Sequence, residues 1–497
     1  MPWRHVAGWP SQLTAIHAVH LHNNRVMMWG YGDSNSDRDC KAWILNLVTG
    51  EFFQVDCSVN NIFCAGHAML ADGRVLIAGG TDSRQGENGE GFGTRYATLL
   101  VPDASLPGAH WEEGQPMGST YPDDARWYPT NTSLPDGRQL VVSGTTQLVP
   151  PPFPPRPPGT RSYNKKVQVF NSDDAQPWFT ALIEQQLPLY PAMFVIPSGL
   201  VFYAGRGTQD APFKKTLALR LTDFTWHDVT LDFDNGAIGE HNSVCSFSPG
   251  KILRCGGNVA EGNPNASAKA AVIDLSAWEI GNPAAWANIA DMNFPRRDHN
   301  LVMLPGMKVL AIGGQETSDY TEPVMQPEVF DLNDLDGDWV PLDAPPDLSY
   351  PPRMYHSTHI LLPSGEIQCS GGQQNETTTY PSGDIYTPPY IAGDELDRPI
   401  ITNAPNQVQY SGSFQVVATV ASGRTLVEMC LISYACQTHG FDQNQRYIPL
   451  AFTQSGLGTY DVGAPPNANH APPGYYMLFV TDNTGSYSQA AKVHLSV

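Results

Sequence analysis

Tyr355 and His356 stand side by side in Pro352-Arg353-Met354-Tyr355-His356-Ser357, just upstream of the apolar run Ile360-Leu361-Leu362 and the turn Pro363-Ser364-Gly365. A phenol next to an imidazole can bind a transition metal or hand on a proton. Adjacent side chains on an extended strand point to opposite faces, so the two reach one target only where the strand begins or twists. The spacing gives the pair its weight. His356 lies nine residues before Gly365, and the same interval separates Cys64 from Gly73, Tyr128 from Gly137, Tyr190 from Gly199 and His241 from Gly250.

Those glycines belong to a repeat of turn, short apolar strand and glycine. It begins at Asn24-Arg25-Val26-Met27-Met28-Trp29-Gly30 and recurs as Asp72 to Gly80, Asp136 to Gly144, Ser198 to Gly205, Pro249 to Gly257, Gly306 to Gly314 and Ser364 to Gly372. Copies at intervals of about 50 to 65 residues have the period of a kelch-type propeller, each blade a four-stranded sheet covered by its neighbours. Later blade strands are visible at Val167-Gln168-Val169-Phe170, Ala271-Val272-Ile273-Asp274 and Glu328-Val329-Phe330-Asp331. Two stretches break the rhythm, Gln85 to Gly93 and Val149 to Pro158, and read as exposed loops. After Tyr390 the repeat stops, and Arg398 to Val497 shows short alternating strands in about 100 residues, the size of an Ig-like sandwich. The expectation is an all-β protein, with residues 1–397 a seven-bladed propeller and 398–497 a small Ig-like domain, the boundary near Asp397.

Composition agrees. Gly (45) and Pro (43) are plentiful and charged residues make up only 15%, which suits short strands and turns. The net charge of -21 repels phosphate backbones and anionic lipid, so no nucleic acid or membrane partner is expected. No run approaches the roughly 18 apolar residues of a membrane span. Met1-Pro2-Trp3-Arg4 opens no signal peptide, so the expectation is a soluble chain, cytosolic or matured from a longer precursor. Cys40 with Cys57, Cys245 with Cys255 and Cys430 with Cys436 could pair across hairpins or equally stay reduced and buried.

Equivalent repeat positions lie in a ring around a propeller axis, so Cys64, Tyr128 and the Tyr355-His356 pair can meet near the channel mouth. Each has a plainer reading. A lone Cys is most often a small buried hydrophobe, and a Tyr after a Trp is usually a core aromatic. The shared register favours function. Tyr190 and His241 read as channel-lining residues, and His17, His20, His22, His67, His299 and His359 as makers of strand or turn hydrogen bonds. Phenol and imidazole ligands suit Cu(II), whereas thiolate-rich tetrahedral sets suit zinc. One more imidazole is needed, and the repeat supplies no convincing candidate.

Four motifs then match a family. Phe63-Cys64-Ala65-Gly66, Ala125-Arg126-Trp127-Tyr128, Met354-Tyr355-His356-Ser357 and Gln437-Thr438-His439-Gly440-Phe441-Asp442-Gln443-Asn444-Gln445-Arg446, in that order, resemble the copper radical oxidases, galactose oxidase and more closely glyoxal oxidase. The resemblance covers almost the whole chain. It implies one copper ion held by Tyr128, Tyr355, His356 and His439, with His439 reaching the metal on a loop pushed through the propeller by the small domain. It implies a thioether between Cys64 and Tyr128, with the tyrosyl radical on Tyr128 and Tyr355 as axial ligand and base. It implies oxidation of small aldehydes, as hydrates, or primary alcohols by O2 with release of hydrogen peroxide, by a monomer that is secreted or periplasmic.

The departures bear on specificity. Galactose oxidase stacks a Trp on the crosslink at the position aligning with Thr146, so another aromatic must shield the radical or the shielding is weaker. Its substrate-binding Arg aligns near Gln186, while Leu189-Tyr190-Pro191 resembles glyoxal oxidases. Gln315 matches a substrate-contacting Gln and also completes the Gly313-Gly314 turn. Two other functions compete. A non-catalytic kelch propeller binding glycan or protein would leave the reactive ring without a purpose. A propeller glycoside hydrolase needs two carboxylates about 5 to 10 Å apart, and counting from the glycines puts no Asp or Glu at the ring position.

Overall fold

The computed structural model describes residues 2–32, 38–82, 92–146, 162–205, 215–230, 241–259, 263, 265–318, 321–374, 378–393 and 397–496. Residues 85–91 and 149–158 of the two expected loops lie outside them. Among the described residues no helix is long and apolar enough to cross a membrane.

Seven sheets form the propeller. Their innermost strands are His17–Leu21, Gly66–Met69, Thr130–Ser133, Met193–Val195, Asn242–Ser248, Asn300–Leu304 and Ser357–Leu361, and each sheet runs outward through antiparallel neighbours. Most neighbouring innermost strands touch around the axis, the last reaching the first. Each blade is covered on both faces, so its second strand is largely apolar without alternation. In Val75–Ala78, Val75 and Ile77 pack into one core cluster and Leu76 and Ala78 into another. The outermost strand of the seventh blade is Trp3–His5, paired with Gly383–Tyr386, so the ring is closed by a strand the repeat did not reveal.

Beyond residue 398 two sheets pack as a sandwich. Ile400–Asn403, Ser413–Thr419, Thr459–Gly463 and Phe452–Gly456 form one, and Gln407–Gln409, Ala491–Ser496, Gly474–Asp482, Leu426–Ser433 and Tyr447–Leu450 the other. Val416, Leu431, Ile448, Leu478 and Val493 lie between them. Between Leu426–Ser433 and Tyr447–Leu450 the chain leaves the sandwich as a hairpin, Cys436–Thr438 and Phe441–Asp442. Its first strand adds to the inner edge of the first blade, with Val19 opposite Cys436 and His17 opposite Thr438.

Inner propeller strands present unpaired backbone groups to the axis, and buried groups of this kind need partners. The polar side chains of the hairpin supply them. Gln443 Oε1 accepts the N–H groups of His67 (3.1 Å) and Asn131 (2.9 Å). Gln445 accepts from the Ser246 N–H at 2.8 Å and donates to its carbonyl at 3.1 Å. Gln437 accepts the His359 N–H, and Arg446 Nη2 donates to the Ser133 carbonyl at 3.0 Å. Asp442 closes the hairpin by accepting from the N–H groups of Cys436 and Asn444, and burial raises its pKa to about 6.

All eight cysteines are buried and none is paired in a disulfide. Cys40 and Cys57 stand opposite each other in a two-residue bridge. Cys245 faces Leu253 rather than Cys255, and Cys430 and Cys436 lie in different sheets. Of the structural histidines, His17 accepts the Cys64 N–H at 3.0 Å and His359 pairs with Asn300 at 2.8 Å. His20 and His22 instead pack on Tyr434 and Tyr475, and His299 Nε2 lies 3.4 Å from Cys255 Sγ.

Candidate metal centre

The residues counted back from each turn share a backbone conformation. Cys64 (φ 61°), Tyr128 (64°), Tyr190 (47°), His241 (62°) and His356 (65°) are all left-handed, a region that costs a non-glycine residue about 1 to 3 kcal/mol. Backbone bonds link them from blade to blade: Tyr128 N–H donates to the Cys64 carbonyl and Tyr190 N–H to the Tyr128 carbonyl, each at 2.9 Å. Asp298 (φ 56°) belongs to the same ring, its N–H donating to the His241 carbonyl at 3.0 Å. The count from glycine missed it because Met307 (φ 54°), not Gly306, takes the ninth place after Asp298. The ring therefore does hold a carboxylate, correcting the expectation that it has none. With one carboxylate rather than two, the ring still lacks a glycosidase pair.

Buried arginines hold three of the ring segments to their blades. Arg126, Arg296 and Arg353 donate to the carbonyls of Ser143 (2.5 Å), Gly313 (3.0 Å) and Gly371 (2.6 Å). They also bond Gln168, Glu328 and Asp384 on the third strands of those blades. The first blade contributes no left-handed residue at this level. His439 (φ 50°), at the tip of the hairpin paired to that blade, fills the gap.

Four donor atoms converge here. Tyr128 Oη lies 2.7 Å from Tyr355 Oη and 2.9 Å from His439 Nε2, which lies 2.9 Å from His356 Nε2. All four residues are buried, and Cys64 packs against Tyr128 with its sulfur 3.8 Å from His439 Nε2. Burial pushes both the Tyr128 phenol and the Cys64 thiol well above their usual pKa values, with Cys64 and Tyr355 adding to the effect on Tyr128. Burial also lowers His356 to about 4.

The hydrogen bonds settle where the imidazole lone pairs point. His356 Nδ1 lies 2.6 Å from the acceptor Gln373 Oε1, so Nδ1 carries the hydrogen and Nε2 the lone pair. Thr438 spends its hydroxyl hydrogen on the Ile16 carbonyl at 3.1 Å and accepts from His439 Nδ1 at 2.5 Å, which leaves the His439 lone pair at Nε2 as well. Two acceptors thus face each other inside the protein, an unfavourable arrangement that a cation between them reverses. Donors about 2 Å from a metal and at right angles lie about 2.8 Å apart, which matches the spacings above. Among the described residues no three His, Cys, Asp or Glu side chains converge as a metal site. The donor set here is two imidazoles and two phenols, which suits Cu(II).

Aromatic rings cover Tyr128 on both sides. Trp127 stacks on it with centroids 3.8 Å apart, and Tyr190 stacks at 4.5 Å. The Tyr190 hydroxyl donates to the Ala65 carbonyl at 3.0 Å. The tryptophan is thus the chain neighbour of the tyrosine, rather than a residue at the Thr146 position. Gln315 is fully buried, with Oε1 accepting the Tyr355 N–H at 3.1 Å and Nε2 donating to Asp298 Oδ2 at 3.3 Å. Both ends of its amide are engaged within the protein. Gln373, Thr438 and Asp298 went unnoticed in the sequence. Gln373, next to the Gly371-Gly372 turn, occupies the place in its blade that Gln315 holds in the sixth, and that repetition was the available signal.

Residues 398–495 match the family described as Galactose oxidase-like, Early set domain. The chain is similar to proteins named as aldehyde oxidases and galactose oxidases. It is 26% identical to Aldehyde oxidase GLOX of Vitis pseudoreticulata, over 92% of this chain and 86% of that protein. It is 25% identical to a galactose oxidase of Gibberella zeae, over 89% of this chain but only 62% of that protein's length. Among solved structures, a fungal alcohol oxidase of the AA5 family in complex with copper superposes with a TM-score of 0.79, covering 100% of this chain and 99% of that one at 20% identity. At that identity the superposition speaks for the fold.

Proposed function

We propose that this chain is a copper radical oxidase that converts primary alcohols to aldehydes, or hydrated small aldehydes to acids, while O2 is reduced to hydrogen peroxide. The observation that carries the reading is the pair of imidazole lone pairs facing each other beside two phenol oxygens. Tyr128, Tyr355, His356 and His439 hold the copper, the first three from residues 1–397 and the last from the 398–497 domain. When bound, copper supplies a one-electron couple and favours the phenolate of its tyrosine ligands. Removing two electrons needs a second one-electron store, and Tyr128 is placed to be that store, electron-rich through a thioether to Cys64.

The remaining work falls to this chain's own groups. Tyr355 accepts the substrate hydroxyl proton, and Tyr128 takes the hydrogen from the carbon. Trp127 and Tyr190 keep water and reductants off the Tyr128 ring. The acidic surface and the small buried centre fit a neutral small-molecule substrate acted on by a monomer, and the resemblance points to a secreted or periplasmic setting.

The test is the optical and EPR spectrum of copper-loaded protein before and after a one-electron oxidant, with the mass of the crosslinked peptides and a peroxide assay. Expected are broad visible and near-infrared absorption, loss of the Cu(II) signal on oxidation, a mass short by two hydrogens and peroxide from small aldehydes or alcohols. An ordinary Cu(II) spectrum that the oxidant leaves unchanged, an unshifted mass and no peroxide would return the chain to the class of binding propellers.

A further inference from the structure

His241 and Asp298 hold the two ring positions between Tyr190 and His356, and neither is a copper donor. His241 Nδ1 lies 2.6 Å from Asp298 Oδ1. The second carboxylate oxygen accepts from Arg297 Nε at 3.1 Å and Gln315 Nε2 at 3.3 Å. Burial works against the charge of Asp298, but His241 and Arg297 outweigh it and hold the carboxyl well below its usual range. A carboxylate only accepts, so a ring hydrogen of His241 sits on Nδ1, and the neutral form of the imidazole carries its lone pair on Nε2. Nε2 has no hydrogen-bond partner among the described residues, and the His241 side chain keeps 12% exposure against 2% for Asp298. A buried carboxylate behind a partly exposed imidazole is the arrangement of a general base fixed in one tautomer. Gln315 joins it to the donor cluster, since the amide that donates to Asp298 also accepts the Tyr355 N–H at 3.1 Å.

We propose that the His241 and Asp298 dyad catalyses the hydration of aldehydes at the channel mouth, delivering the hydrate that the oxidation consumes. Its purpose rests on the oxidase reading, although its chemistry does not. An unhydrated aldehyde has no hydroxyl proton for Tyr355 to accept, whereas its hydrate has two. In the step, His241 Nε2 takes a proton from water, the water oxygen bonds to the carbonyl carbon, and the C=O π pair moves to the carbonyl oxygen. The imidazolium returns the proton to that oxygen, so RCHO and H2O become RCH(OH)2 with no change in electron count. Asp298 stabilises the imidazolium in between.

The experiment uses copper-loaded protein under argon with carbon-13 acetaldehyde, reading magnetisation transfer between the aldehyde and hydrate NMR signals. Without O2 the oxidase has no acceptor, so the exchange rate reports hydration alone. The unmodified protein should accelerate exchange about 100-fold or more over buffer at the same pH. His241→Gln should fall to the buffer rate while keeping the parent Cu(II) EPR spectrum, and Asp298→Asn should lose most of the acceleration. Buffer-rate exchange by the unmodified protein, or full acceleration by His241→Gln, overturns the proposal. If His241→Gln does not fold, Asp298→Asn decides in the same way. Peroxide measured in air on the same samples separates the two readings. Peroxide without accelerated exchange removes the dyad's role and keeps the oxidase, and accelerated exchange without peroxide does the reverse.

Discussion

Six left-handed ring residues come from the blades, and the seventh, His439, comes from a hairpin of the sandwich. The blade-borne positions are set by repetition. Each sits nine residues before a turn, and backbone bonds join Cys64 to Tyr128, Tyr128 to Tyr190 and His241 to Asp298. The hairpin position is set by the buried amides of Gln437, Gln443 and Gln445, which match the inner edges of four blades. A repeated scaffold thus offers six near-equivalent sites, and one inserted segment breaks the symmetry and decides where the metal goes.

Tyr128→Phe, on the blade side, should have the largest effect: loss of oxidase turnover by at least about 1,000-fold with copper still bound, read by peroxide assay and Cu(II) EPR. Cys64→Ser should likewise abolish the oxidant-induced radical and leave copper bound, and normal turnover by that variant would remove the thioether from the scheme. On the hairpin side, His439→Ala should weaken copper binding by at least about 100-fold in a folded protein, since even outer-shell changes cost about 10- to 100-fold. Titration against a competing chelator measures this, and an unchanged affinity would place the hairpin outside the metal site.

Gln443→Ala tests how the hairpin is held. It leaves the N–H groups of His67 and Asn131 without their acceptor, at about 1 to 3 kcal/mol each. The denaturant midpoint should fall accordingly, while Gln54→Ala on the exposed outer strand of the first blade should change it little.

The smallest effect per group is in the pH dependence of the metal-free protein. Burial lowers His67 and His359 to about 3, whereas unfolded histidine protonates near about 6.5. Below about 6.5 the unfolded chain therefore binds more protons, so stability falls progressively as pH drops from 6.5 towards 3. At pH 5 the loss is about 2 kcal/mol per histidine. Thermal unfolding between pH 7.5 and 4.5 measures it, and a flat profile would mean that these imidazoles are hydrated.

The same contrast explains what could be read from the sequence. The blades, the ring and the Cys64, Tyr128 and Tyr355-His356 set were legible because repetition gives a register against which a reactive residue stands out. Asp298 escaped because Met307 adopts a backbone that the count reserved for glycine. His439 was visible only through resemblance, since nothing in local spacing tells a hairpin that it will cross into another fold. The Trp127 stack was hidden because neighbouring residues on a regular strand face apart, and only the left-handed turn at Tyr128 lets the two rings lie parallel.

The strand Trp3–His5 completes the seventh blade against Gly383–Tyr386, and the first blade in turn receives Cys436–Thr438. During synthesis, therefore, the first-made strand waits for the last blade, and the donor cluster can be completed only after His439 has left the ribosome. Any metal loading and any bond between Cys64 and Tyr128 must follow that event, so a chain stopped short of the hairpin would yield a propeller with no finished centre to mature.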